Sequence, residues 1–126
     1  MTVTKKVKYD GLPWEGHLDE LIIQALIEKQ GVEVTCIDLR KINHVLFDYY
    51  IVCTGNSNTH IQTLCDFVQE KTQRVANIRP LHIEGLENCE WVLLDYADIL
   101  VHIFQPEARK YYNIESLWSD AEIQKF

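Results

Sequence analysis

The run DYYIVCT, from Asp48 to Thr54, carries apolar side chains at both odd and even positions. A half-buried strand alternates, so a segment apolar on both faces belongs at the centre of a sheet covered on each side. Gly55, Asn56, Ser57 and Asn58 follow as a turn, with Asn56 or Ser57 placed to cap the next element. That element is a helix, because Ile61, Leu64, Cys65, Val68, Thr72 and Val75 recur on one face up to about Asn77.

The rest of the chain supplies what such a strand needs. From His17 to Gln30, Leu18, Leu21, Ile22, Ala25 and Leu26 recur at helical spacing. Asp19 and Glu20 suit the positive end of that helix, and Gly31 is a natural stop. Val32 to Leu39 alternates as a strand, and residues 40–47 form a polar and basic connection. Arg79–Glu84 reads as a short strand closed by the turn-forming Gly85 to Asn88. Glu90–Leu94 and Ile99–Phe104 are two strands joined across Asp95, Tyr96, Ala97 and Asp98, short enough for an antiparallel hairpin. Pro106 opens a helix to Tyr112, and Asn113 is placed to cap another over Ile114–Ala121. The expected fold is α/β, a mixed sheet of about five strands flanked by helices.

Composition narrows what such a domain does. With 126 residues, 47% of them hydrophobic, one domain over residues 17–126 is expected, preceded by a mobile N-terminal arm of residues 1–16. No apolar run approaches the ~20 residues that span a bilayer, so no membrane association is expected. Met1 to Lys8 is basic but leads into no apolar stretch, which argues against secretion and for the cytoplasm. Cys36, Cys53, Cys65 and Cys89 show no metal-site spacing and read as buried, reduced thiols. A net charge of −7 repels phosphate backbones, so direct nucleic-acid binding is not expected and the natural partners are neutral or basic.

The candidates for chemistry are weak. Gly55-Asn56-Ser57, between a strand and a helix, resembles the phosphate-binding turn of nucleotidyltransferases, whose magnesium needs paired carboxylates. Asp38 and Asp48 lack an acidic partner two residues away, and Asp95 and Asp98 suit local turn bonding. Helix capping therefore outweighs phosphate binding at the turn, and a nucleotide-handling enzyme is the alternative reading. His82 and Glu84 share a strand face but give at most two ligands. His102 alternates with Leu100 and Phe104 as a core residue would, and Ser57 with His60 lacks a third orienting group. No catalytic residue, cofactor or metal is expected.

Aromatic and acidic residues concentrate in the C-terminal third: Trp91, Tyr96, Tyr111, Tyr112 and Trp118, with Glu84, Glu87, Glu90, Asp95 and Asp98. Aromatics are preferred anchors of protein interfaces, and acids beside them steer a basic partner. Singly, Trp91 and Trp118 also suit a core; Tyr96, at the hairpin tip, is the ring expected to be exposed. A homodimer through an exposed sheet edge is a further expectation.

Four stretches together resemble the ribosomal silencing factor, or Iojap-like, family: DYYIVCTGNSN at 48–58, EG at 84–85, EWVLLDYADILVHIF at 90–104 and ARKYYNIESLW at 108–118. The resemblance covers about Leu18 to Ala121. It implies a nucleotidyltransferase-like fold without the catalytic carboxylates. It also implies docking on the large ribosomal subunit through its protein fourteen, which blocks small-subunit joining and damps translation when nutrients run short. The family's docking strand corresponds to Trp91, Leu93, Leu94, Asp95 and Tyr96, and His102 and Tyr111–Tyr112 match family positions as well. Ala97 stands where many members have glycine, so a positive φ there carries a steric cost.

Overall fold

The computed structural model describes residues 16–126; the expected arm, apart from Gly16, and Trp14 within it lie outside the described residues. The chain runs α1 (Leu18–Glu28), β1 (Val32–Asp38), β2 (Tyr49–Thr54), α2 (Asn58–Ala76), β3 (His82–Glu84), β4 (Trp91–Asp95), β5 (Ile99–Phe104), α3 (Pro106–Tyr112), a 3-10 turn (Ile114–Trp118) and β6 (Glu122–Lys125). The strands form one sheet in the order β3-β4-β5-β2-β1-β6. Only β2 and β5 are parallel, with Tyr49 opposite Ile99 and Thr54 opposite Phe104; the other neighbours are antiparallel.

The central strand is buried as its sequence demands. On one face Ile51 and Cys53, with Val92, Leu94, Val101 and Ile103, pack under the apolar stripes of α1 and α2. On the other, Val52 joins Ile37, Leu39, Phe104 and Ile114, and Tyr50, Trp91 and Trp118 lie against them. Each layer removes apolar surface from water at about 25 cal/mol per Å².

The structure departs from the sequence reading at the C-terminus. The expected helix over Ile114–Ala121 ends as a 3-10 turn at Trp118, and Glu122–Lys125 becomes a sixth strand against β1. All four residues of β6 are exposed, so hydrophobic alternation could not reveal it; pairing with the open edge of β1 decides its conformation. Gly31 also has a different role. Gln30 takes the left-handed conformation at φ 61°, whereas a Cβ on Gly31 would strike the Cys53 sulfur and lie 3.0 Å from the Leu26 carbonyl oxygen. The glycine is needed for close approach, not for its turn.

Arg109 of α3 pins the C-terminal segment to the sheet. It is only 8% exposed. Nε and Nη2 donate to the two Glu115 oxygens, each at 3.0 Å. Nη1 donates to the Glu33 carbonyl at 2.8 Å and Thr54 Oγ1 at 3.0 Å, and Nη2 also reaches Thr35 Oγ1 at 3.1 Å. Every guanidinium N–H thus has an acceptor, which is the condition for burying the charge. Lysine keeps the charge but not the fork.

Arg109→Ala is expected to lower stability by about 3 kcal/mol, because Glu115 and two threonine hydroxyls lose their donor. Arg109→Lys should recover less than half of that loss. Urea unfolding of the three proteins checks both values.

Candidate functional site

The alternation of β4 divides the expected docking residues between two environments. Val92 and Leu94 point to the helices and are wholly buried, while Trp91, Leu93 and Asp95 point to the opposite face and are partly exposed. Leu93 lies between Glu84 of β3 and His102 of β5 in register. Trp91, Leu93 and Asp95 therefore form one outward row, with Leu94 as its support.

Tyr96 does not occupy the exposed position expected of it. It is 3% exposed, and its hydroxyl lies 2.9 Å from Thr72 Oγ1 on α2. Turn geometry explains the inversion. Asp95 Oδ1 accepts from the Ala97 amide at 2.8 Å, Tyr96 N donates to the Ile99 carbonyl at 2.9 Å, and Ala97 adopts φ 74°. This tight reversal continues the alternation through the tip and sends the Tyr96 ring under α2. Burial pushes the Tyr96 hydroxyl up to about 12, against the lowering effect of the Thr72 hydrogen bond. Tyr96 thus anchors the hairpin to the helix layer, and Ala97, exposed at the tip, holds the left-handed conformation that favours glycine.

Beside the outward row, on the same face of the sheet, lies an aromatic layer that includes Trp91. The Trp91 ring stacks on Phe104 at 4.9 Å between centroids and approaches Tyr112 at 4.8 Å. Its indole N–H donates to His102 Nδ1 at 3.1 Å. Tyr50 packs on His102 at 4.6 Å and meets Trp118 edge-on at 5.8 Å. His102 is 3% exposed, as its alternation predicts, and its Nε2 has no partner. Burial pushes its pKa down to about 3, so it stays neutral with Nδ1 as acceptor. It therefore serves to orient Trp91. Tyr111, at 81% exposed, and Tyr112 form the open rim of the layer. Trp118 was one of the candidate aromatics and Tyr50 only a central-strand residue; their link to Trp91 depends on sheet order, which the sequence does not display.

The Gly55 and Asn56 amides of the Gly55–Ser57 turn are committed internally. Gly55 N donates to the Phe104 carbonyl at 2.9 Å, and Asn56 N donates to His60 Nδ1 at 2.9 Å. Ser57 Oγ accepts from His60 N at 3.0 Å as the cap of α2, while His60 Nε2 lies 2.9 Å from the Lys29 carbonyl. A Cβ on Gly55 would meet Ile61 Cγ1 at 2.5 Å, so close packing accounts for the glycine. Asp38 is held in a fork by Arg40 at 2.9–3.0 Å. His82 and Glu84 pair at 2.8 Å on the exposed edge. Among the described residues no group of three or more histidine, cysteine or acidic side chains is placed to hold a metal, and no helix is long and apolar enough to cross a membrane. All four cysteines are buried free thiols, and burial pushes Cys36 and Cys53 up to about 12 and Cys65 to about 11.

Two outcomes follow from this geometry. Ala97→Gly should raise stability by about 0.5–1 kcal/mol, because the relief of left-handed strain exceeds the added chain entropy. Thermal unfolding reads this as a rise of a few degrees. For His102, the folded pKa is depressed, so its contribution is complete above pH 6.5 and is lost as pH falls towards 3. About 2 kcal/mol should disappear between pH 6.5 and 5 through this group, and His102→Gln should flatten that slope in urea titrations at the two pH values.

Comparison with known proteins places these features in a family. A family model described as "Ribosomal silencing factor during starvation" matches residues 16–126. A Chromobacterium violaceum protein named "Ribosomal silencing factor RsfS" is 39% identical over 102 residues, spanning 81% of this chain and 82% of that protein. A crystal structure of a Chromobacterium violaceum protein matches with a TM-score of 0.75 at 39% identity, covering 80% of this chain and 82% of that one. A Mus musculus protein named "Mitochondrial assembly of ribosomal large subunit protein 1" is 26% identical over 74 residues, 57% of this chain and 32% of its own length. With a family model matched across the whole described domain, and a relative at 39% identity whose length it largely spans, this chain belongs to the ribosomal silencing factor family.

Proposed function

We propose that this protein is a non-enzymatic translational repressor of the cytoplasm that docks on the large ribosomal subunit, through its protein fourteen, and excludes the small subunit. The observation that carries the reading is the outward row Trp91, Leu93 and Asp95, held on a rigid aromatic layer and rimmed by exposed Tyr112 and Glu84. A firm apolar strip with acids at its edge suits a basic protein surface, since charge guides the encounter and the buried ring supplies affinity. The family name and the mouse relative's name, which mentions the ribosomal large subunit, support the same target.

Exclusion requires occupancy alone, and a standard interface of about 800 Å² per partner is enough for it. Within this reading Leu94 and Tyr96 act from below: they fix the height and angle of the row without touching the partner. A homodimer formed through an exposed sheet edge is compatible with this reading and would compete with docking where the two surfaces overlap. The nucleotide-enzyme alternative at Gly55–Ser57 has less support, because the Gly55 and Asn56 amides already serve Phe104 and His60.

Leu93→Ser, a partly exposed position, should weaken co-sedimentation with purified large subunits at least tenfold while leaving the circular dichroism spectrum unchanged. Tyr96→Phe should retain near wild-type binding, since only its hydroxyl bond to Thr72 is lost. Full binding by the Leu93 variant overturns the docking row.

A further inference from the structure

On the helix-covered face, at the far end of the sheet from β4, α1 stops short of β6 and leaves a cleft of about 880 Å³. Its walls carry Asp19 and Glu20 from the first turn of α1 and Asp38 from β1; Ile27 and Phe126 form its apolar side. Both are 50% exposed. The apolar side is thus open, and the polar side is acidic.

The acids are not equivalent. Asp38 is occupied by Arg40, and Glu28, also on the wall, is paired with Lys71. Asp19 differs: it is 8% exposed, and its Oδ1 is buried with no hydrogen-bond partner. The positive end of α1 stabilises that carboxylate in part, but a buried oxygen without a donor costs free energy that a cationic donor would recover. The negative field is felt nearby, where burial, then Asp19, then Asp38 raise the Cys36 thiol.

We propose that this cleft is a protein-docking site that accepts a lysine or arginine side chain, carried on an apolar-flanked segment of a basic partner protein, with the Asp19 carboxylate as counter-ion. The aliphatic stem of such a side chain lies along Ile27 and Phe126 while its charged end reaches Asp19, the way long basic side chains cover apolar surface. Charge complementarity selects the occupant: an anionic ligand meets Asp19 and Glu20, and a purely apolar one leaves the buried oxygen unpaired. The proposal stands apart from docking at β4, which uses the other face and the other end of the sheet.

The test is an NMR titration of the full chain with a capped nonapeptide bearing one central lysine among valines and threonines. Amide shifts are expected at Ile23, Ile27 and Gln124, at millimolar peptide or below. Asp19→Asn should weaken binding at least tenfold, and so should acetylation of the peptide lysine. Phe126→Ser, on an exposed position that leaves the core intact, should weaken it severalfold and guards against a fold defect in the Asp19 variant. No shifts in the cleft, or unchanged affinity in Asp19→Asn, overturns the proposal. A full chain carrying Lys5→Gln, Lys6→Gln and Lys8→Gln that binds the peptide tenfold more tightly also overturns it, because the site then belongs to the chain's own basic segment.

Discussion

A single buried guanidinium holds the two ends of this fold together. Arg109 reaches from α3 into the gap between the ends of β1 and β2, and each of its donors meets an acceptor from Glu115, Glu33, Thr35 or Thr54. Burying a lone charge would be prohibitive, so these elements must arrive together or the cation stays in water. Two consequences follow along the chain. Trp118 is brought against Tyr50, which sets His102, which in turn fixes the Trp91 indole. The same docking delivers β6 to the edge of β1, where it becomes the outer wall of the acidic cleft. The two surfaces to which binding is assigned thus share one electrostatic pin.

Strand alternation then separates support from contact. In β4 the odd-numbered residues face outward and the even-numbered ones lie under α2, so Trp91 and Leu93 are available because Val92 and Leu94 are not. Tyr96 carries this logic past the end of the strand. Its ring is bulky enough to fill the space below α2, and its hydroxyl finds Thr72, so the tip is tethered instead of presenting an aromatic to water. The strain at Ala97 is the local cost of that tether. A neutral His102 beside Leu93 completes the arrangement: a charged imidazole there would compete for water and loosen the layer.

The strongly periodic elements were legible because their signals are local. The span of β5 and that of α3 match the residues read from alternation and from Pro106, and the run at 48–54 gave the central strand within one residue. The density of aromatic and acidic residues in the C-terminal third pointed to the face on which the proposed docking row lies. What failed depends on partners distant in sequence. Arg109 looks like any surface arginine of a short helix until Thr35 and Thr54, 74 and 55 positions away, are beside it. Tyr96 reads as a tip residue because loops are usually wet, yet the alternation of β4 runs on through it and the chain reverses only at the left-handed Ala97. β6 has no buried residue to reveal it, and Asp19 reads as a routine helix-start acid until its missing partner is seen.

The hydrogen bonds of the Gly55–Ser57 turn fit the proposed reading of a protein that works by shape. A nucleotide site keeps donors free to receive phosphate, yet here the Gly55 and Asn56 amides close a circuit with Phe104, His60 and, through His60, the end of α1. That circuit locks α2 to α1 and so stiffens the layer on which Leu94 and Tyr96 rest. Rigidity is what an excluding protein needs, because loop and side-chain ordering at an interface subtracts from affinity. On the proposed reading, a turn that an enzyme would keep open for substrate serves instead to hold β4 still.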